Sequence, residues 1–183
     1  SKNSIELGQM MHSIKLMVNN KINMNFRVGF GFDVHQLAEG EEFWLGGILL
    51  DYHMGLVGHS DADVLIHAIC DALLGSLALG DIGYHFPDTS AEFKGIDSKI
   101  LLKKVVSLIT DKGYSIGNID ATVSLQLPKI KPFIPEMRAK LAEVMDIDLD
   151  LVSIKATTTE KLGYVGEQKG VNTHAVCLVY KTK

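Results

Sequence analysis

From Arg27 to His35 bulky apolar residues alternate with glycine: Val28, Phe30, Phe32 and Val34 hold one parity, and Gly29, Gly31, Asp33 and His35 hold the other. A period of two puts these sets on opposite faces of a strand. One face is apolar. The other is bare for two positions and then presents a carboxylate and an imidazole that can meet one ion. Taken alone, Asp33-Val34-His35 also suits a strand end with a surface acid.

The rest of the chain alternates between two periods. Phe43-Trp44-Leu45 reads as a second strand that continues past Gly46-Gly47 into Ile48-Leu49-Leu50. Ser60 is the expected cap of a helix that carries Asp61 and Asp63 in its first turn and runs to about Leu79, before Gly80. Asp97 or Ser98 opens another helix, with Ile100, Leu101, Val105, Leu108 and Ile109 on one face and Gly113 past its end. Ile119 to Leu127 alternates as a strand that stops at Pro128. Pro135 leads a short helix with Met137, Leu141 and Val144 inward. Val152, Ile154 and Ala156 alternate again, and Ala175 to Tyr180 is a nearly continuous apolar strand. This order predicts an α+β fold of split βαβ (ferredoxin-like) units, helices packed on a sheet.

Composition excludes several classes. Of 183 residues 46% are hydrophobic and 22% charged, with a net charge of −4, so disorder and general nucleic-acid binding are not expected. No apolar run approaches the roughly 20 residues of a membrane-spanning helix. Cys70 and Cys177 sit among apolar neighbours, which argues against a disulfide scaffold or a cysteine zinc site. Residues 1–26 hold one acid, Glu6, and no apolar signal core. They are expected to be a poorly ordered extension, native or expression-derived, outside a single domain at 27–183.

The predicted helix after Ser60 adds a third candidate ligand. Asp63, His67 and Asp71 are spaced i, i+4, i+8 and share one face. The same pattern would suit a solvated stripe. Read with the opening strand, it supplies two nitrogens and one oxygen from His35, His67 and Asp33, which leaves an open fourth position on a zinc ion. An acid one turn away, Asp71 rather than Asp63, would then hold the second ring nitrogen of His67. Lys155-Ala-Thr-Thr-Thr-Glu160 can donate hydroxyls and backbone N–H groups to phosphate and offer oxygen to a hard cation, though such a cluster also marks a turn. The Pro128–Pro132 loop is stiff and basic. His53 and His85 read as surface residues.

At this point the sequence resembles the 2-C-methyl-D-erythritol 2,4-cyclodiphosphate synthase family. The resemblance rests on HSDADVLIHAICDALLG at 59–75, GFGFDVH at 29–35, LGDIGYHFPDT at 79–89, LQLPKIKPFIP at 125–135 and KATTTEKLGY at 155–164. It implies a phosphorus–oxygen lyase that converts 4-diphosphocytidyl-2-C-methyl-D-erythritol 2-phosphate to the cyclic diphosphate and CMP. It also implies a homotrimer with sheets facing the trimer axis and active sites between subunits, in a bacterial cytoplasm or a plastid stroma. The implied zinc ligands are Asp33, His35 and His67, and Glu160 matches the position of a second ion, Mg2+ or Mn2+. His59 and Thr158 match transition-state-stabilising positions. The implied substrate contacts are Ser60, Asp81, Gly83, Phe86, Asp88, Ser90, Leu125, Pro128, Lys129, Lys131, Thr157, Thr159 and Tyr164, with Phe86 to Ser90 as a mobile flap.

One departure stands out. Many relatives carry an arginine soon after the last block, near the trimer axis, where it meets anions including isoprenoid diphosphates. Here Glu167 occupies that position and Lys169 follows. Two other readings fit parts of the pattern: a zinc hydrolase built on the same three ligands, and a trimeric binding protein that keeps the fold without the chemistry.

Overall fold

The computed structural model describes residues 25–87 and 95–182. Its centre is a close contact between one strand and one helix. Strand β1 (Phe26–Glu39) presents its glycine face to helix α1 (Val64–Ser76). A Cβ added at Gly29 would lie 1.8 Å from the Ala72 carbonyl oxygen, and one at Gly31 would lie 2.0 Å from that of Ala68. Only glycine permits this approach. Eleven of the thirteen α1 residues are buried, so the helix is enclosed on all sides rather than laid on a surface.

The remaining elements follow in chain order: β2 (Phe43–Leu45), β3 (Ile48–Leu50), β4 (Met54–Val57), then α1, α2 (Ile82–His85), α3 (Ser98–Asp111), β5 (Tyr114–Ser124), α4 (Ile134–Met145), β6 (Val152–Thr157), α5 (Gly163–Gly166) and β7 (Gly170–Lys181). The fold is mixed α+β. Five strands form one sheet in the order β4-β1-β7-β5-β6. β5 and β6 are parallel and every other pair is antiparallel. β1 and β5 therefore run in the same direction with β7 between them.

Two predicted boundaries and one predicted helix face are corrected. Phe43 to Leu50 is not one strand but a hairpin, with Phe43 opposite Leu50, because Gly46 and Gly47 both take positive φ (62° and 78°). The helix after Ser60 is shorter than predicted. Its cap is Asp63, whose carboxylate accepts from the N–H groups of Leu65 and Ile66, and it closes at Leu77. On α3, Ile100 is exposed, whereas Leu101, Leu102, Val105 and Ile109 are buried.

Among the described residues nothing covers the apolar face of β1. Phe26, Val28, Phe30, Phe32 and Val34 are each 45–62% exposed, and Val176 and Tyr180 on β7 extend the patch. His174, opposite Phe32 across the ladder, lies 4.9 Å from the Phe32 ring centroid. A contiguous apolar sheet face of this kind marks an interaction surface.

Candidate active site

The close β1–α1 contact sets the geometry of the site. Asp33 follows Gly31 by two residues on the same face of β1, and His67 precedes Ala68 on α1. With backbones this near, two short side chains meet: Asp33 Oδ2 lies 3.0 Å from His67 Nδ1 and 3.0 Å from His35 Nδ1. Ligand atoms of the three residues lie within 4.8 Å of one another. His35 Nδ1 is buried and, despite its nearness to Asp33, has no hydrogen bond. A carboxylate oxygen that faces two imidazole nitrogens, one of them orphaned, is a donor set that fits a divalent cation.

The electrostatics agree. Burial alone would raise the Asp33 carboxyl, but the hydrogen bond from His67 and the charge of both imidazoles, each 3.0 Å away, override it and hold it at about 2. Burial alone would lower the His67 ring, but the hydrogen bond and charge of Asp33 win and raise it above its usual value of 6.5. The sign of each shift fixes a window. The Asp33 contribution to stability is present above the unfolded value of 3.8 and is lost as pH falls through about 2. The His67 contribution is present below 6.5 and is lost as pH rises through its raised folded value. A cation must displace the His67 proton. Zinc affinity, measured by chelator competition, is therefore expected to climb as pH rises past 6.5, by up to about tenfold per unit, and to level off once the ring is neutral. A flat profile from pH 6 to 8.5 would show that no proton is displaced.

The expected outer partners of His67 are corrected. Asp63 is fully buried, and its two oxygens accept from Gly46 N, Gly47 N, Leu65 N and Ile66 N. It ties the hairpin to the helix and does not hold the imidazole. Asp71 Oδ1 accepts from Ile82 N at 2.8 Å and so anchors the start of α2. The second nitrogen of His67, Nε2, faces Ser98 Oγ at 2.9 Å and Ser60 Oγ at 3.1 Å. Ser98 in turn is held by Asp61. No spacing rule relates Ser98 or Asp61 to His67, so sequence reasoning missed both.

A cleft of about 330 Å³ opens on the triad and is lined also by His59, Ser60, Ile82, Gly83 and Phe86. Asp81 caps α2 by accepting from Tyr84 N and presents Gly83 at the cleft. Asp88 and Ser90 lie outside the described residues. His85 is half-buried rather than a surface residue, with Nε2 2.8 Å from the Leu79 carbonyl oxygen, and His53 is exposed.

The second group of predicted residues gathers elsewhere. Leu125 N donates to the Thr157 carbonyl, which joins the end of β5 to that of β6. Thr158 Oγ1 lies 3.2 Å from Glu160 Oε1, in a turn where Glu160 and Lys161 take positive φ. Lys129 and Lys131 are exposed on the loop after Pro128, and Thr159 Oγ1 donates to the Leu162 carbonyl. Tyr164 OH accepts from Asn172 Nδ2. Both groups lie at the same end of the sheet, since Val34 pairs Asn172, Asn172 pairs Ser124 and Ser124 pairs Thr157. Three strand spacings, about 14 Å, separate the end of β6 from β1, Tyr164 stands nearer, against β7, and none of the second group lines the cleft of the triad. Glu167 and Lys169 form an exposed ion pair at 2.6 Å.

The model of the YgbB family matches residues 26–180. A 2-C-methyl-D-erythritol 2,4-cyclodiphosphate synthase of Bacteroides fragilis is 65% identical over 156 residues, 85% of this chain and 98% of its own. One from Porphyromonas gingivalis is 58% identical over 84% of this chain and 95% of its own. Among solved structures, IspF of Plasmodium falciparum in complex with CDP superposes with a TM-score of 0.77 at 34% identity, over 87% of this chain and 99% of that one. The bifunctional IspDF of Campylobacter jejuni gives 0.83 at 39% identity over 86% of this chain, which spans 43% of that longer polypeptide.

Proposed function

The chain belongs to the YgbB family, and from that premise we infer that it converts 4-diphosphocytidyl-2-C-methyl-D-erythritol 2-phosphate to 2-C-methyl-D-erythritol 2,4-cyclodiphosphate and CMP, a lyase step in isoprenoid precursor biosynthesis. The observation that carries this reading is the convergence of Asp33, His35 and His67 at the floor of a cleft beside His59 and Ser60.

The reaction joins two anions. An oxygen of the 2-phosphate attacks the β-phosphorus of the diphosphate, a P–O bond forms, and the bond to the departing CMP oxygen breaks. The nucleophile is already ionised at neutral pH, so the work is positioning and charge neutralisation. A divalent cation on Asp33, His35 and His67, which we take to be zinc, would supply positive charge to the phosphate oxygens when bound. Glu160 would hold a second ion, Mg2+ or Mn2+, which would supply further positive charge to the substrate. His59 and Thr158 donate hydrogen bonds to oxygens on which charge develops. Ser60, Asp81, Gly83 and Phe86, with Asp88 and Ser90, hold the methylerythritol end. Leu125, Pro128, Lys129, Lys131, Thr157, Thr159 and Tyr164 hold the cytidine end.

The distance between those two groups within one chain supports an active site shared between subunits. The bare apolar face of β1 and β7 supports a trimer with these sheets, read as split βαβ units, around its axis. Residues 27–183 form the catalytic domain, and we place the enzyme in the bacterial cytoplasm. No described helix is long and apolar enough to cross a membrane.

Two measurements test this. Incubation with the cytidyl substrate, zinc and magnesium should yield cyclic diphosphate and CMP one to one; release of inorganic phosphate instead would mean a hydrolase. Phe30→Glu, at the most exposed apolar position of the face (62%), should shift the trimer to monomer in light scattering and remove turnover with it. A monomeric wild type of full activity would end the shared-site reading.

A further inference from the structure

His67 reaches the cluster through Nδ1, and its other nitrogen is held from behind. Nε2 lies 2.9 Å from Ser98 Oγ. Ser98 is fully buried and is the first residue of α3. Its hydroxyl makes a short contact with Asp61 Oδ1, and its backbone N–H donates to Asp61 Oδ2 at 2.9 Å. One arrangement of protons pairs all three groups. A carboxylate can only accept, so the Ser98 hydroxyl donates to Asp61. The hydroxyl oxygen then has lone pairs free for His67, so Nε2 carries the proton and donates. Nδ1 faces Asp33 Oδ2 at 3.0 Å and donates to it while no ion is bound; a cation held there would take the place of that proton.

We propose that Asp61 and Ser98 are positioning residues that fix His67 as the Nε2–H tautomer and thereby make Nδ1 its metal-binding atom. The proposal rests on the metal-centre reading above and extends it to two residues outside the ligand set. A second consequence follows from the backbone. Asp61 N donates to the Ile96 carbonyl and Gly95 N to the His59 carbonyl. The segment that bears His59 and Ser60 is thus fastened to the start of α3 by the same pair that orients His67. Ser60 Oγ, 3.1 Å from Nε2, is the weaker partner: it also accepts from Ala62 N, and among the described residues no carboxylate orients it.

The test uses the full chain and zinc. Ser98→Ala is expected to weaken zinc binding by roughly 10–100-fold, the usual effect of removing an outer partner of a metal-bound histidine, and Ser98→Thr, which keeps the hydroxyl, should restore most of it. Asp61→Asn should weaken binding alone but add little to Ser98→Ala, because Asp61 acts through the serine. Nitrogen-15 NMR of the imidazoles in zinc-loaded wild type should show His67 protonated at Nε2 and ligated at Nδ1. Lower thermal stability in Ser98→Ala with unchanged zinc affinity would reduce the pair to a helix-capping role, and ligation through Nε2 would overturn the proposal even if the variants do not fold. Failure of the wild type to bind zinc would instead remove the metal centre itself, and the relay with it.

Discussion

His67→Ala is expected to lose zinc and to lower turnover by roughly three orders of magnitude while the protein stays folded and keeps its oligomeric state. The size follows from what is removed. A bound cation contributes several kcal/mol to stabilising charge in a phosphoryl transition state, and each 1.36 kcal/mol is tenfold in rate. Without the imidazole, Asp33 and His35 offer two ligand atoms where three met, and the carboxylate loses one of the two rings that hold it at about 2. The fold should persist because α1 is held by its apolar surroundings and by the Asp63 cap, neither of which involves the ring. Metal analysis after dialysis, circular dichroism and light scattering check the three parts. Full zinc occupancy in the variant would remove His67 from the ligand set, whatever happened to activity.

What could be read in the chain, and what could not, divides along the line between local and tertiary causes. The ligands were legible because strand and helix periodicities are local: Asp33 and His35 two apart on a strand, His67 on a helix behind a run of small capping residues. The partners of His67 were not. The sequence offers Asp63 and Asp71 at helical spacing, and both are engaged elsewhere, one by the hairpin glycines and one by the start of α2. The residue that faces Nε2 comes from α3, 31 positions away. The helix boundary failed for a similar reason. Ser60, Asp61 and Asp63 can each cap a helix, and the choice fell to the residue that could also satisfy Gly46 and Gly47. The Phe43–Leu50 hairpin was readable in principle, since paired glycines between apolar runs favour a tight turn. The orientation of β1 was the least accessible feature. Alternation defines two faces but does not say which one the chain itself covers, and here the described residues leave the bulky one exposed.

Gly31→Ala is expected to have the largest effect on stability of any single methyl addition near the site, and to damage the metal centre as well. The new Cβ would stand 2.0 Å from the Ala68 carbonyl oxygen and 2.6 Å from Ala72 N. Both are backbone atoms of α1, so no side-chain rotation relieves the contact, and the helix must move outward by about 1 Å or more to reach van der Waals distance. Overpacking against side chains costs about 1–3 kcal/mol; displacement of a buried helix should exceed 3 kcal/mol, a fall in Tm of roughly 10 °C for a domain of this size. The same displacement carries His67 away from Asp33, so zinc affinity should fall in step. Gly29→Ala meets Ala72 at 1.8 Å, one helical turn farther from the ligands. It should match the loss of stability and leave more of the zinc affinity, because the end of α1 can tilt while His67 stays near Asp33. The pair of variants thus separates packing from ligand geometry. A Gly31→Ala protein with the melting temperature and zinc affinity of wild type would mean that the β1–α1 contact does not set the geometry of the triad.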